Sequence, residues 1–78
     1  MLNYSVKIDS VKDLIELKKL ADRFEINGRI NQNGFHGDMR SVFKNLIYLP
    51  LDNAEIEIDD YNESQVSYIT EAINKLSA

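Results

Sequence analysis

The chain contains no cysteine, which excludes disulfides, thiolate metal sites and cysteine nucleophiles together. It has a single histidine, His36, so a metal site would have to be completed by carboxylates alone; no metal and no cofactor is expected. It has no glycine-rich phosphate loop, no Gly-x-Ser-x-Gly elbow and no Ser-His-acid order in a supporting context, and the reading is a protein that is not an enzyme. Basic residues are scarce in the second part. Residues 51–78 carry one basic and seven acidic side chains, against eight basic and six acidic in residues 1–50. With a net charge of −4 the chain is repelled by nucleic-acid phosphates, so no nucleic-acid partner is expected. No apolar run approaches membrane-spanning length, and Leu2-Asn3-Tyr4-Ser5-Val6 lacks the basic-then-apolar order of a leader. The expectation is a cytoplasmic, soluble protein with no membrane partner.

The 78 residues are enough for one modest core, and no repeat, low-complexity tract or linker divides them. Leu2, Tyr4, Val6 and Ile8 alternate with polar residues, the period of a strand with one buried face. From Ser10 to Phe24 the period becomes helical, with Val11, Leu14, Leu17, Leu20, Ala21 and Phe24 on one stripe and Lys12, Glu16, Lys19 and Arg23 opposite. Ser10 is placed to cap this helix, with Asp13 closing a capping box. Glu25–Asn31 alternates again, and Asn33-Gly34 suits a type I′ hairpin turn into a short strand through Phe35, His36 and Met39. Ser41 heads a brief helix that runs to about Tyr48 and that Pro50 stops. Asn53 closes a turn into a strand bearing Ala54, Ile56 and Ile58. A last helix starts at Asn62 or Ser64 and turns Val66, Ile69, Ile73 and Leu76 inward. The order βαββαβα predicts an α+β open-faced sandwich: a four-stranded antiparallel sheet with helices on one face.

Four places could carry chemistry. His36 reads as a surface or edge residue. Asp59-Asp60 read as ending a strand and favouring the positive end of the last helix. Ser10 could present a phosphate to a helix start, but Asp9 and Asp13 oppose an anion there. Ser41 differs, because Arg40 precedes it and Lys44 lies one turn on; it is the candidate phosphorylation site, with Arg40 and Lys44 as phosphate-supporting cations. Beside it, Val42, Phe43, Leu46 and Ile47, followed by Tyr48, Leu49 and Leu51, are more apolar surface than one short helix can bury. Val42, Phe43, Leu46 and Ile47 form the candidate docking patch.

Several short motifs at matched spacing carry a family resemblance. Ala21-Asp22-Arg23-Phe24, Asn33-Gly34, Arg40-Ser41-Val42-Phe43 and Ala54-Glu55-Ile56-Glu57-Ile58 resemble, without a gap, the corresponding stretches of the histidine-containing phosphocarrier (HPr) family of the sugar phosphotransferase system. The resemblance covers nearly the whole chain, and βαββαβα is that family's topology, so it implies a single HPr-like domain over residues 1–78. At the family's phosphorylated histidine this chain has Ser10, at its arginine Lys12 and at its proline Asp13, in Ile8-Asp9-Ser10-Val11-Lys12-Asp13-Leu14. A phosphohistidine passes its group on through a labile P–N bond, whereas a phosphoserine is a stable ester. The resemblance therefore implies a degenerate member without catalytic residues, similar to the Crh paralogue class, which lacks the histidine and keeps a regulatory serine matching Ser41. In Gram-positive-type members a kinase phosphorylates that serine, and the product binds a transcriptional regulator in carbon catabolite control. The implied partners are proteins: HPr kinase, a transcriptional regulator or phosphotransferase-system components. The family's glycines in and after the short helix are replaced by Lys44 and Leu49. The alternatives are an active phosphocarrier using an atypical site and a plain interaction module of ferredoxin-like βαββαβ fold, for which the stretch from Ser41 to Tyr48 is short.

Overall fold

In the computed structural model, which describes residues 1–32 and 34–76, the alternating segment Leu2–Ile8 forms β1, with Val6 and Ile8 buried and Asn3, Ser5 and Lys7 exposed. The helix that follows, α1, spans Val11–Phe24 and buries Leu14, Leu17, Leu20 and Ala21. Val11 belongs to the exposed surface, in contrast to its expected place on the core stripe. Ser10 occupies the N-cap position, yet its hydroxyl makes no cap bond. The capping box is shifted instead: the Asp13 carboxylate accepts the Asp9 N–H at 3.1 Å, one residue before the expected partner. At the other end Glu25 adopts a left-handed conformation (φ 53°), and its N–H donates to the Ala21 carbonyl. This position usually belongs to glycine. The reversal uses up Glu25 and Ile26, so β2 is Asn27–Gln32 and starts later than the alternation from Glu25 suggested.

A hairpin joins β2 to β3 (Phe35–Asp38), with Gly34 at φ 85°. Asn33, the other half of the expected turn dipeptide, lies outside the described residues. Met39 falls beyond the end of β3 but is buried, and its N–H donates to the Gly28 carbonyl at 3.1 Å. A side chain at Gly28 would come within 2.7 Å of both the Glu57 carbonyl oxygen and Met39 Sδ, so glycine is what lets Met39 close over β2. The short helix α2 spans Val42–Leu46, stopping before the expected end at Tyr48. The last strand, β4, is Leu51–Asp60 and includes Asn53, which closes no turn: its N–H donates to Gln32 Oε1 at 2.8 Å. Asn62 then accepts the Ser64 N–H at 2.9 Å and starts a single 3₁₀ turn (Glu63–Gln65) that runs into α3, Val66–Leu76.

The four strands pair antiparallel throughout in the order β1-β4-β2-β3. One face of this sheet carries the core, where Ile8, Ile26, Ile30, Ile56 and Ile58 meet Leu14 and Leu17 of α1 and Ile69 and Ile73 of α3. Each such side chain contributes about 1.5–3 kcal/mol through burial. Tyr4 ties β1 to α3 through its hydroxyl, 2.8 Å from Thr70 Oγ1. The other face is open and polar. No helix among the described residues is long and apolar enough to cross a membrane.

Candidate docking face on the short second helix

The sequence from Val42 to Leu49 is apolar nearly all round, so the residues that turn inward decide what is left outside. Val42, Asn45 and Leu49, spaced three and four apart, face the domain. Asn45 is 1% exposed, and its side-chain N–H donates to the Asp38 carbonyl at 2.8 Å. It reaches β3 because Gly37 has no side chain: a Cβ there would collide with Asn45 Oδ1. Tyr48 completes the attachment by stacking on Phe35, with ring centroids 3.9 Å apart and planes 26° from parallel. With the inner side pinned in this way, Phe43 is left 87% and Ile47 78% exposed, joined by Leu46 and Tyr48 at 41% and 47%. Val42 of the expected patch is half-buried against the core instead of standing free. On α1, Val11 and Ile15 are also exposed, and Ile15 shares a helical stripe with Lys18 and Asp22.

Ser41 stands at the N-cap of α2, half-buried, with a hydroxyl that makes no cap bond. The two cations expected to support a phosphate there differ in availability. Lys44 is exposed and has no ion-pair partner among the described residues. Arg40 is turned away: its guanidinium donates to the Ala21 and Ile26 carbonyls at 3.1 and 3.0 Å and lies 3.7 Å from Asp22. It thereby satisfies the carbonyl end of α1, where the left-handed Glu25 interrupts the helix. Ser41 and Lys44 line one shallow depression, whereas Arg40 would engage a phosphate on Ser41 only by leaving these carbonyls. The hydrogen bond from Lys18, with its charge and that of Arg40, lowers the pKa of the exposed Asp22 carboxyl on α1.

The remaining candidates lie apart from this face. Ser10, Lys12 and Asp13 are at the start of α1, and Ser10 and Lys12 are exposed. His36 is on β3, on the open side of the sheet, with Nδ1 2.6 Å from Asn31 Oδ1. Asn31 Nδ2 donates to Glu57, so the amide oxygen is free to accept from the ring. Asp59 and Asp60 end a strand as expected, being the last two residues of β4. Asp59 accepts from Arg29 at 2.5 Å, raising that guanidinium's pKa above its ordinary value. The alternation of a long β4 places Asp59 beside Arg29 on the open face. Among the described residues no cluster of His, Asp or Glu is assembled to hold a metal ion.

Asn45 is the residue that sequence reasoning passed over. Its signal was present in the three-four spacing Val42–Asn45–Leu49, which places it on the inner stripe. A scan against protein-family models gives no match, and neither does a search of curated proteins.

Proposed function

We propose that the chain is a non-catalytic, HPr-like regulatory or interaction protein related to the phosphotransferase system, docking through α2 and controlled by phosphorylation of Ser41. The observation that carries this reading is the exposure of Phe43 on α2 and of Ile47 at its C-cap, on a helix whose inner side is fixed by Asn45. Large apolar side chains exposed together are what a protein partner uses as anchors. The strand order lends support. In a ferredoxin-like βαββαβ sheet the first and third strands are central, whereas here β4 and β2 are central and β1 and β3 form the edges. Ser41 adjoins the patch and offers an unengaged hydroxyl, so a dianion there would change the charge at the rim of the docking face without rebuilding it.

At the carrier position, Ser10 forms only stable esters. The Ser10 hydroxyl makes no cap bond, and the Asp13 carboxylate is directed to the Asp9 backbone, which supports a non-carrier reading. The experiment is a titration of ¹⁵N-labelled chain with a transcriptional regulator of carbon catabolite control, before and after Ser41 is phosphorylated by HPr kinase. Shift changes should centre on Phe43, Leu46 and Ile47 and strengthen with the phosphate. Changes centred on the open face of the sheet would refute the docking assignment.

A further inference from the structure

A second surface, separate from α2, lies between α1 and α3. A groove of about 630 Å³ runs along the α1 face that starts at Lys12 and ends at Phe24, bordered by the last turn of α3. Its apolar lining comes from Leu20, Phe24, Ala72 and Leu76. Along the rim stand Lys12, Lys19, Arg23 and Lys75, four of the nine basic side chains in a chain of net charge −4. Two carboxylates also line it, Asp13, which accepts the Asp9 N–H, and Glu16, 4.0 Å from Lys19, so the four cations outnumber the acids in the lining by two. Lys75 is 3.7 Å from Glu71, while Lys12 and Arg23 have no ion-pair partner among the described residues. Arg23 lies over the Phe24 ring, 5.1 Å from its centroid, which holds the guanidinium against the apolar lining.

We infer that this groove binds an acidic amphipathic helix of a partner protein. Charge complementarity sets the sign of the occupant: the cations collected here would pair with carboxylates flanking an apolar stripe. The walls set its conformation. Both walls are helices and present no strand edge along the groove, so a segment that satisfies its own N–H and C=O groups can lie there at least cost. Length agrees, because Lys12 to Arg23 is roughly 16 Å at the helical rise, about three turns. This inference is independent of the α2 reading, and either can fail alone.

The test uses a fluorescein-labelled synthetic helix of two Glu-Leu-Leu-Glu-Glu-Leu-Ala heptads, titrated with the intact chain at low salt and followed by anisotropy. Saturable binding is expected, and it should weaken as salt is added. Lys12→Glu with Arg23→Glu should weaken it by roughly tenfold, about what two exposed ion pairs made repulsive are worth. Lys75→Glu should weaken it from the opposite wall, and Phe43→Ala should leave it unchanged. Circular dichroism of each variant separates lost binding from lost folding, and the α3 variant keeps the test decisive if the α1 pair unfolds. The inference is overturned if the peptide does not saturate, if a peptide with Lys in place of Glu binds equally well, or if the charge reversals have no effect. Retention on phosphatidylglycerol vesicles without peptide binding would also overturn it and assign the cations to a lipid surface.

Discussion

Replacing Gly37 by alanine tests how α2 is held. The added methyl would collide with Asn45 Oδ1 and come within 2.6 Å of Phe35 Cζ. Neither can retreat easily, since Asn45 is bonded to the Asp38 carbonyl and Phe35 is stacked under Tyr48. The cheapest response is for α2 to lift from β3. Overpacking costs about 1–3 kcal/mol, and losing the Asn45 bond adds about 1 kcal/mol, so the variant should lose about 2–4 kcal/mol. A domain of this size has a total stability of about 4–12 kcal/mol, which makes the loss large. In urea, with a slope near 1 kcal/mol/M, the midpoint should fall by about 2 M or more. The control is the pairing with Asn45→Ala, which removes one of the two colliding groups. Gly37→Ala should cost at least about 1 kcal/mol less in that background than in the parent. A loss below about 0.5 kcal/mol, or strict additivity of the pair, would refute the claim that Asn45 packed against a bare Gly37 fixes α2.

Three further outcomes follow from contacts elsewhere. Glu25→Gly should stabilise the chain by about 0.5–1 kcal/mol in urea unfolding, because a left-handed residue ends α1 and glycine adopts that conformation without strain. The Asp22 carboxyl is lowered in the folded chain chiefly by its hydrogen bond from Lys18, so its stabilisation is fully present above the unfolded value of about 3.9 and is lost as pH falls through the folded value. An NMR titration of Asp22 should show the low midpoint, and Lys18→Ala should move it up. With Asn31 Nδ2 engaged by Glu57, neutral His36 should carry its proton on Nδ1, as read from long-range ¹H–¹⁵N spectra, and Asn31→Ala should release that preference.

The elements that periodicity marks strongly were legible from residues alone. Alternation in Leu2–Ile8 and the three-four spacing of Leu14, Leu17, Leu20 and Ala21 each point to one buried face, and burial is what builds β1 and α1. Boundaries set by backbone conformation were less visible. Glu25 carries no glycine signal for its left-handed turn, so β2 was placed too early. Asn53 looked like a turn residue, yet tertiary pairing with Gln32 keeps it in an extended β4. The exposed patch on α2 was readable as an excess of apolar residues over available cover, although Val42 proved to belong to the inner side. Arg40 was the least legible. Its position beside Ser41 suggested phosphate support, but its length lets it reach the carbonyls at the end of α1, a contact that chain distance does not reveal.

The proposed regulatory role of Ser41, without carrier chemistry at Ser10, is open to a mass-spectrometric measurement with two arms. Incubation with HPr kinase and ATP should add a single acid-stable phosphate that Ser41→Ala abolishes. Incubation with phosphoenolpyruvate and the first enzyme of the phosphotransferase system should add none. An acid-labile phosphate in the second arm, or no incorporation in the first under conditions that modify an HPr of the family, would overturn the proposed role of Ser41.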